Sequence, residues 1–314
     1  MEKKAHLSGI AFAIIFGFSF MFSKIALETL SPIGLIAYRF LLAFLAMTLL
    51  RFTKIIVIRF DKRHLWPLFL VALFQPILYF IFETYGLSLT SSGEAGMMIA
   101  LIPIAVSIFS TLFLKEKPPL LQLFFILLSV AGIVTIQIAK GMGAESNSTW
   151  GFILLAFAVL SAALFNIASR HASKTLKPVE LTYFMMMMGA ISFNLIYFIQ
   201  LLIQREPLRY MTELADPTVW IPLVYLGLVA SIGGFFLVNY ALSRLPAHVS
   251  SIYSNLSTVV AIIAGALFLK ESIELYHILG ALMIISGVYG TVWMNRHPSR
   301  HPKTPASLPP GVEN

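Results

Sequence analysis

One stretch of this chain occurs twice, and that repeat constrains the fold more than any other feature. Residues 85–116 read YGLSLTSSGEAGMMIALIPIAVSIFSTLFLKE and residues 240–271 read YALSRLPAHVSSIYSNLSTVVAIIAGALFLKE. An offset of 155 aligns them without a gap, with ten of thirty-two positions identical. The identities include Tyr85 with Tyr240 and the closing run Leu112 to Glu116 with Leu267 to Glu271. Further on, Gly132 meets Gly287. A repeat at half the chain length in so apolar a sequence predicts two related bundles.

The apolar content sets the solvent. Of 314 residues, 58% are hydrophobic and only 11% charged. A soluble domain carries roughly 25% charged residues, so the expected surroundings are a lipid bilayer. There is no cysteine, which excludes disulfide and thiolate chemistry. The net charge of +8 is read as a sign of orientation, since Lys and Arg accumulate in cytoplasmic loops; nucleic-acid binding is not expected.

A spanning helix needs about 20 mostly apolar residues. Ten such segments are expected, at residues 7–27, 32–50, 65–87, 94–114, 119–139, 150–169, 181–203, 219–242, 248–269 and 275–295. The first resembles a signal peptide at its basic start, but it is long enough to span and more spans follow, so it is expected to stay as a helix. Ser31-Pro32, Pro118-Pro119 and Asp216-Pro217 punctuate the pattern, because proline has no amide to donate and suits a helix start. The expected organisation is a first five-helix repeat at 1–140 and a second at 149–295. A disordered cytoplasmic tail is expected at 296–314, rich in proline and poor in apolar residues.

With the N-terminus inside, the inner segments hold sixteen Lys and Arg and the outer segments four; Lys24 and Arg39 lie within spans. That bias predicts both termini in the cytoplasm. Five helices per half is an odd number, so the second copy crosses in the opposite sense. The fold class expected is all-α: an integral membrane protein with ten transmembrane helices in a five-plus-five inverted repeat. That architecture gives two mirrored gates one shared central site.

Several motifs then gain a family meaning. Ser31-Pro32 with Arg39-Phe40, Tyr85-Gly86-Leu87 with Thr90-Ser91-Ser92, Pro103, and the two Lys-Glu helix ends with Gly132 and Gly287 beyond form an ordered set. Over residues 7–295 the chain resembles the EamA-type, ten-helix members of the drug/metabolite transporter superfamily. Thr258 stands where the second copy in such proteins often has a proline matching Pro103, and Phe124-Phe125 replaces a usual small residue. The resemblance implies export or uptake of small metabolites, often amino acids, or of drug-like compounds.

Candidate site residues follow from polar groups within spans. On the ninth helix Ser250, Ser251, Ser254, Asn255, Ser257 and Thr258 recur at spacings of three and four, which puts them on one face. Its repeat partner carries Ser92, Gly96, Ala100, Pro103, Ser107 and Thr111. Such stripes either line a hydrated cavity or serve close helix packing, which in membranes favours small and hydroxyl residues. Tyr240 and Asn166 are further cavity candidates. Among the charges, Lys24 either snorkels to the interface or joins Arg39 and Glu83. Those two form either a structural ion pair or a proton-coupling carboxylate with its arginine.

No histidine pair has metal-ligand spacing, and no phosphate loop or Walker lysine occurs. No metal, cofactor, ATP drive or enzymatic activity is therefore expected. The reading is secondary transport of a small organic solute by alternating access, with the bilayer as partner and protons as a candidate coupling ion. A nucleotide-sugar or sugar-phosphate carrier, a membrane sensor and a membrane enzyme stand as alternatives.

Overall fold

The computed structural model describes residues 2–58, 62–89, 98–139, 149–268 and 273–296. Among these, nine helices are long and apolar enough to cross a membrane: α1 Glu2–Ala26, α2 Pro32–Phe52, α3 Leu65–Gly86, α5 Leu120–Ala139, α6 Thr149–Ala172, α7 Pro178–Gln204, α8 Pro217–Arg244, α9 Ala247–Phe268 and α10 Leu275–Asn295. The shorter apolar helix α4, Ile102–Leu114, stands in the remaining place. The result is an all-α, ten-helix membrane protein. The repeat's Lys270-Glu271 end, Gly96, the 141–148 connector and the tail from 297 lie outside the described residues.

Local chemistry sets the ends. The Ser31 side chain accepts the Gly34 N–H, and Pro32 opens α2. Glu180 accepts the Lys177 backbone N–H at 2.9 Å at the start of α7. At the start of α8, Asp216 accepts the Thr218 hydroxyl and N–H at 2.7 and 2.9 Å. Those bonds hold its carboxyl below the ordinary carboxylate range. Each satisfies a backbone donor that a helix start leaves open. Lys115 and Arg205 close α4 and α7 in left-handed backbone, with φ of 59° and 61°. Several helices overrun the expected bounds: α1 begins at Glu2, α6 reaches Ala172 and α7 begins at Pro178. Hydropathy reads the hydrocarbon-buried part, whereas the helical hydrogen-bond ladder continues through Lys, Glu and His beyond it.

Four helices are irregular, α4 among them through its π-helical end Ser110–Leu114. In α3, Gln75 is extended (φ −150°, ψ 121°) just before Pro76, a proline kink. The offset maps residues 75 and 76 onto 230 and 231, inside the π-helical stretch Tyr225–Gly234 of α8. The ninth helix tightens at Ile252 (φ −64°, ψ −25°) between Ala247–Ser251 and Tyr253–Phe268, where the Asn255 N–H bonds to the Ile252 carbonyl three residues back at 3.1 Å. Its repeat counterpart also has a turn, at residues 100–101, ahead of α4. The Ser-rich stripe, expected on one continuous helix, spans this tight turn, and Thr258 lies beyond it.

The packing obeys a pseudo-two-fold. The central pairs are α2 with α7 and α5 with α10, each helix against its own repeat counterpart. The contact of α1 with α8 and α9 is matched by that of α6 with α3 and α4. The tightest seam is α5 against α10. A Cβ on Gly132 would lie 2.6 Å from the Gly280 carbonyl oxygen, and one on Gly287 would lie 2.5 Å from that of Phe125. Residues 132 and 287, and 125 and 280, are both 155 apart, so one contact is the other's image. Between α2 and α7 the core is aromatic, with Phe40 stacked on Phe193 at 5.6 Å between ring centroids.

Candidate functional site

The two halves are tied at one end by the residue that closes the first repeat copy. Glu116, just past α4, accepts Arg170 Nε of α6 at 2.9 Å on one oxygen. Its other oxygen accepts the Ala247 N–H, the first residue of α9, at 2.8 Å. Arg170 also donates to the Leu242 carbonyl of α8 at 3.0 Å. One carboxylate thus joins the end of α4 to α6 and α9, with the arginine carrying the link to α8. The chemistry is a charge-assisted hydrogen bond plus an anion at a helix start, both favourable.

Behind this lock the start of α9 is sealed. His248 Nε2 lies 3.1 Å from Gln122 Oε1 of α5, and Gln122 Nε2 donates to the Thr291 carbonyl of α10 at 3.0 Å. Among the described residues, three polar atoms buried here have no hydrogen-bond partner: His248 Nδ1, Ser250 Oγ and Thr291 Oγ1. Burying such groups unpaired is costly. Asn239 of α8 accepts the Ser169 hydroxyl at 2.7 Å and donates to Thr182 at 3.0 Å, joining α8 to α6 and α7.

The polar stripe of α9 divides. Ser250, Ser251, Asn255 and Ser257 are buried, whereas Ser254 and Thr258 are partly exposed. Asn255 donates to Ser129 of α5 at 3.1 Å. Ser251, Ser254 and Ser257 each donate to a carbonyl three residues back, at 3.1, 2.6 and 2.5 Å. On α4, Ser107 and Thr111 do the same to carbonyls four residues back, and Pro103 is buried at the start of α4. Hydroxyls satisfied by their own helix are compatible with packing as well as with a wall. Asn166 is buried on α6 and donates to the Ala162 carbonyl at 2.8 Å. Tyr240 is partly exposed and stacks on Phe236.

Of the charges of the first half, Arg39 and Glu83 lie close enough to feel each other. Arg39 is buried; its Nε donates to Ser231 of α8 at 2.7 Å. Its guanidinium lies 5.7 and 5.6 Å from the Phe40 and Phe80 ring centroids, within cation–π range. Ser231 is the repeat counterpart of Pro76, so Arg39 holds the irregular stretch of the second half. Glu83, partly buried, feels the charge of Arg39 and takes a hydrogen bond from the Tyr79 hydroxyl. Lys24 is exposed in the last turn of α1, where a cation suits the helix dipole.

Two features escape the sequence. Glu116 was singled out only as an end of the repeat. Glu213, in the loop between α7 and α8, is buried and accepts from Tyr197 at 2.5 Å, Arg209 Nε at 2.9 Å and Tyr38 at 3.2 Å. It plugs that loop onto α2 and α7 at the end opposite the lock. Neither stands out by spacing: Glu116 lies between Lys115 and Lys117, and Glu213 has Arg209 four residues back, so both read as ordinary charges at helix ends.

The profile of the EamA-like transporter family matches residues 3–138 and 149–293. An uncharacterized transporter, YcxC, of Bacillus subtilis (strain 168) is 37% identical, with 97% of this chain and 98% of that one aligned. A second uncharacterized transporter of that organism, YetK, is 26% identical over 96% of this chain and 90% of its own. A solved crystal structure superposes with a TM-score of 0.76 at 16% identity, covering 92% of this chain and 98% of its own; that likeness is one of fold.

Proposed function

This chain belongs to the EamA-like transporter family, and from that premise we propose that it exports small organic metabolites by alternating access. The substrates proposed are amino acids or related compounds, with drug-like solutes a wider class. The chain is a multi-pass membrane transporter; its substrate, its direction and its site are the proposal. The proposed location is the cell membrane with both termini cytoplasmic, which makes the Glu116 end the inner one. The units that move are residues 1–140 and 149–295.

The observation that carries this reading is the Glu116 lock. A gate must connect the two halves, must be reversible, and must sit at one end of a shared route. Glu116 comes from the first half, and Arg170 and the Ala247 N–H come from the second. The pair is partly exposed, 22% and 21% at the two side chains, so each charge can be taken over by water when it opens. Opening would release the start of α9 and give the unpartnered Ser250, His248 and Thr291 atoms water or substrate to bond. Ser250, Ser251, Ser254, Asn255 and Thr258, with Tyr240, Asn166, Gly96 and Pro103, are the proposed lining. Glu83, beside Arg39 and Tyr79, is the proposed coupling carboxylate, with Lys24 at the outer rim.

The anion-carrier alternative loses ground here. Among the described residues, Lys24 and Arg39 are the cations within spans set away from the inner helix ends, and Arg39 donates to Ser231 and lies over two rings. The test is flux of radiolabelled amino acids and a cationic dye from proteoliposomes, with and without a pH gradient. Net movement of at least one solute, lost when Ser254 and Asn255 are both replaced, is expected. Folded protein that moves none of the panel overturns the reading and returns the sensor and the enzyme.

A further inference from the structure

At the lock's end of the bundle, but on its outside, a groove of about 440 Å³ opens between α3, α4 and α6. Its walls include Trp66 and Leu70 of α3, Phe113 and Leu114 of α4, and Ala168 and His171 of α6. Trp66 and Phe113 are 66% and 64% exposed, so their rings face the surrounding medium. These residues lie at the start of α3 and the ends of α4 and α6, which topology puts in one leaflet. From Trp66 to Phe74, also in the wall, the groove follows α3 for roughly 12 Å.

The rim of this groove is basic. Lys115 follows directly on Leu114 with Lys117 two residues on, His171 lies in the last turn of α6 and Lys174 just past it; all four are exposed. The neighbouring acids are already engaged, Glu116 by Arg170 and the Ala247 N–H, and Glu180 by the Lys177 N–H. Within a bilayer, an apolar groove gives an acyl chain no advantage over its other neighbours, because lipid tails are as apolar as its walls. Selectivity must therefore come from the headgroup. A cationic rim above an acyl-sized cleft, with Trp66 at headgroup level where such rings settle, is complementary to one kind of occupant.

We propose that this groove seats an anionic phospholipid of the leaflet at the lock's end, its acyl chain between α3, α4 and α6 and its headgroup on Lys115, His171 and Lys174. The seat adjoins the lock in sequence on two sides, Leu114 two residues from Glu116 and His171 next to Arg170. The proposal rests on the chain spanning a membrane and is read without any transport measurement.

Trp66 reports occupancy directly. A variant with Trp150→Phe, Trp220→Phe and Trp293→Phe keeps it as the one tryptophan. This variant is placed in phosphatidylcholine vesicles holding equal mole fractions of acyl-brominated phosphatidylglycerol or acyl-brominated phosphatidylcholine. Phosphatidylglycerol should quench at lower mole fraction, by roughly fivefold for each basic side chain engaged. Lys115→Gln with Lys174→Gln should remove most of that preference. Ala168→Phe, which fills the groove and leaves the charges, should remove it too, with Ala168→Leu as the milder version should the larger ring prevent folding. Equal quenching by the two lipids overturns the proposal. So does a preference that survives a folded groove-filling variant, since that is loose charge attraction with no seat.

Discussion

Glu116 and Arg170 meet at 2.9 Å across the boundary between the two halves of the chain. The same carboxylate accepts the first N–H of α9, so the bond that joins the halves also fixes the helix carrying most of the candidate site. Its strength is modest. A partly exposed pair contributes up to about 1 kcal/mol, which suits a contact that must break in every cycle.

Glu116→Gln should weaken this closure and leave the fold intact. About 1.4 kcal/mol changes a ratio of states tenfold, so a loss near 1 kcal/mol should raise the open fraction by roughly fivefold. Cysteine at Ser250, buried beside the lock, should label with a water-soluble thiol reagent faster in that background, while cysteine at Ser254 should label in both. Arg170→Gln should act the same way. Unchanged labelling at Ser250 would show that the pair does not gate.

Glu83→Gln separates coupling from structure. If Glu83 exchanges a proton during the cycle, the substitution should abolish pH-driven accumulation and leave counterflow exchange partly intact. Proton-driven accumulation at the wild-type level would exclude the role. Loss of folded protein would instead favour a structural partnership with Tyr79 and Arg39, as breaking a buried charge pair costs about 3–5 kcal/mol.

The α5–α10 seam should be intolerant of side chains. A Cβ at Gly132 or Gly280 meets the other's carbonyl oxygen at 2.6 Å. Leu at either position should cost about 1–3 kcal/mol or more, read as a lower midpoint of thermal unfolding in detergent. Leu279→Met, exposed on α10, should leave the midpoint near wild type. A stable Gly132→Leu protein would mean that the helices can separate.

Reporter fusions check the orientation. Fusions after Lys174 and at the C-terminus should report cytoplasm, and one at Glu206 the opposite side. Glu206 is a better point than Glu213, whose carboxylate is buried between Tyr38 and Tyr197. An outside signal at Lys174 would invert the assignment and put the lock on the outer face.

The sequence made the helices and their inverted pairing legible because both depend on composition over about 20 residues and on one long offset. Irregularities were less so. The kink at Gln75 comes just before a proline, Pro76, but the tight turn at Ile252 lies among ordinary residues. The Ser-rich stripe of α9 was visible as a stripe, yet its hydroxyls turn back to their own carbonyls, a choice of rotamer that periodicity does not encode. Arg39 was rightly marked as an interior charge, but its hydrogen-bond partner is Ser231 in the other half. Glu116 acts on Arg170 and Ala247, and Glu213 on Tyr38, which only the tertiary fold brings near. A carboxylate's partner 131 positions away leaves no local trace.

The seam between α5 and α10 bears on how chains of this kind can diverge. A mutation at residue 132 meets the backbone of residue 280, and one at 287 meets that of residue 125. No change of side chain on the opposite helix makes room for a backbone oxygen. These positions should therefore stay fixed, or drift only with the neighbours that set the helix separation. The lipid-facing Leu127 and Leu282, both exposed, are free to exchange among apolar types. The two halves can then lose almost all likeness to each other elsewhere while this crossing still marks them as copies.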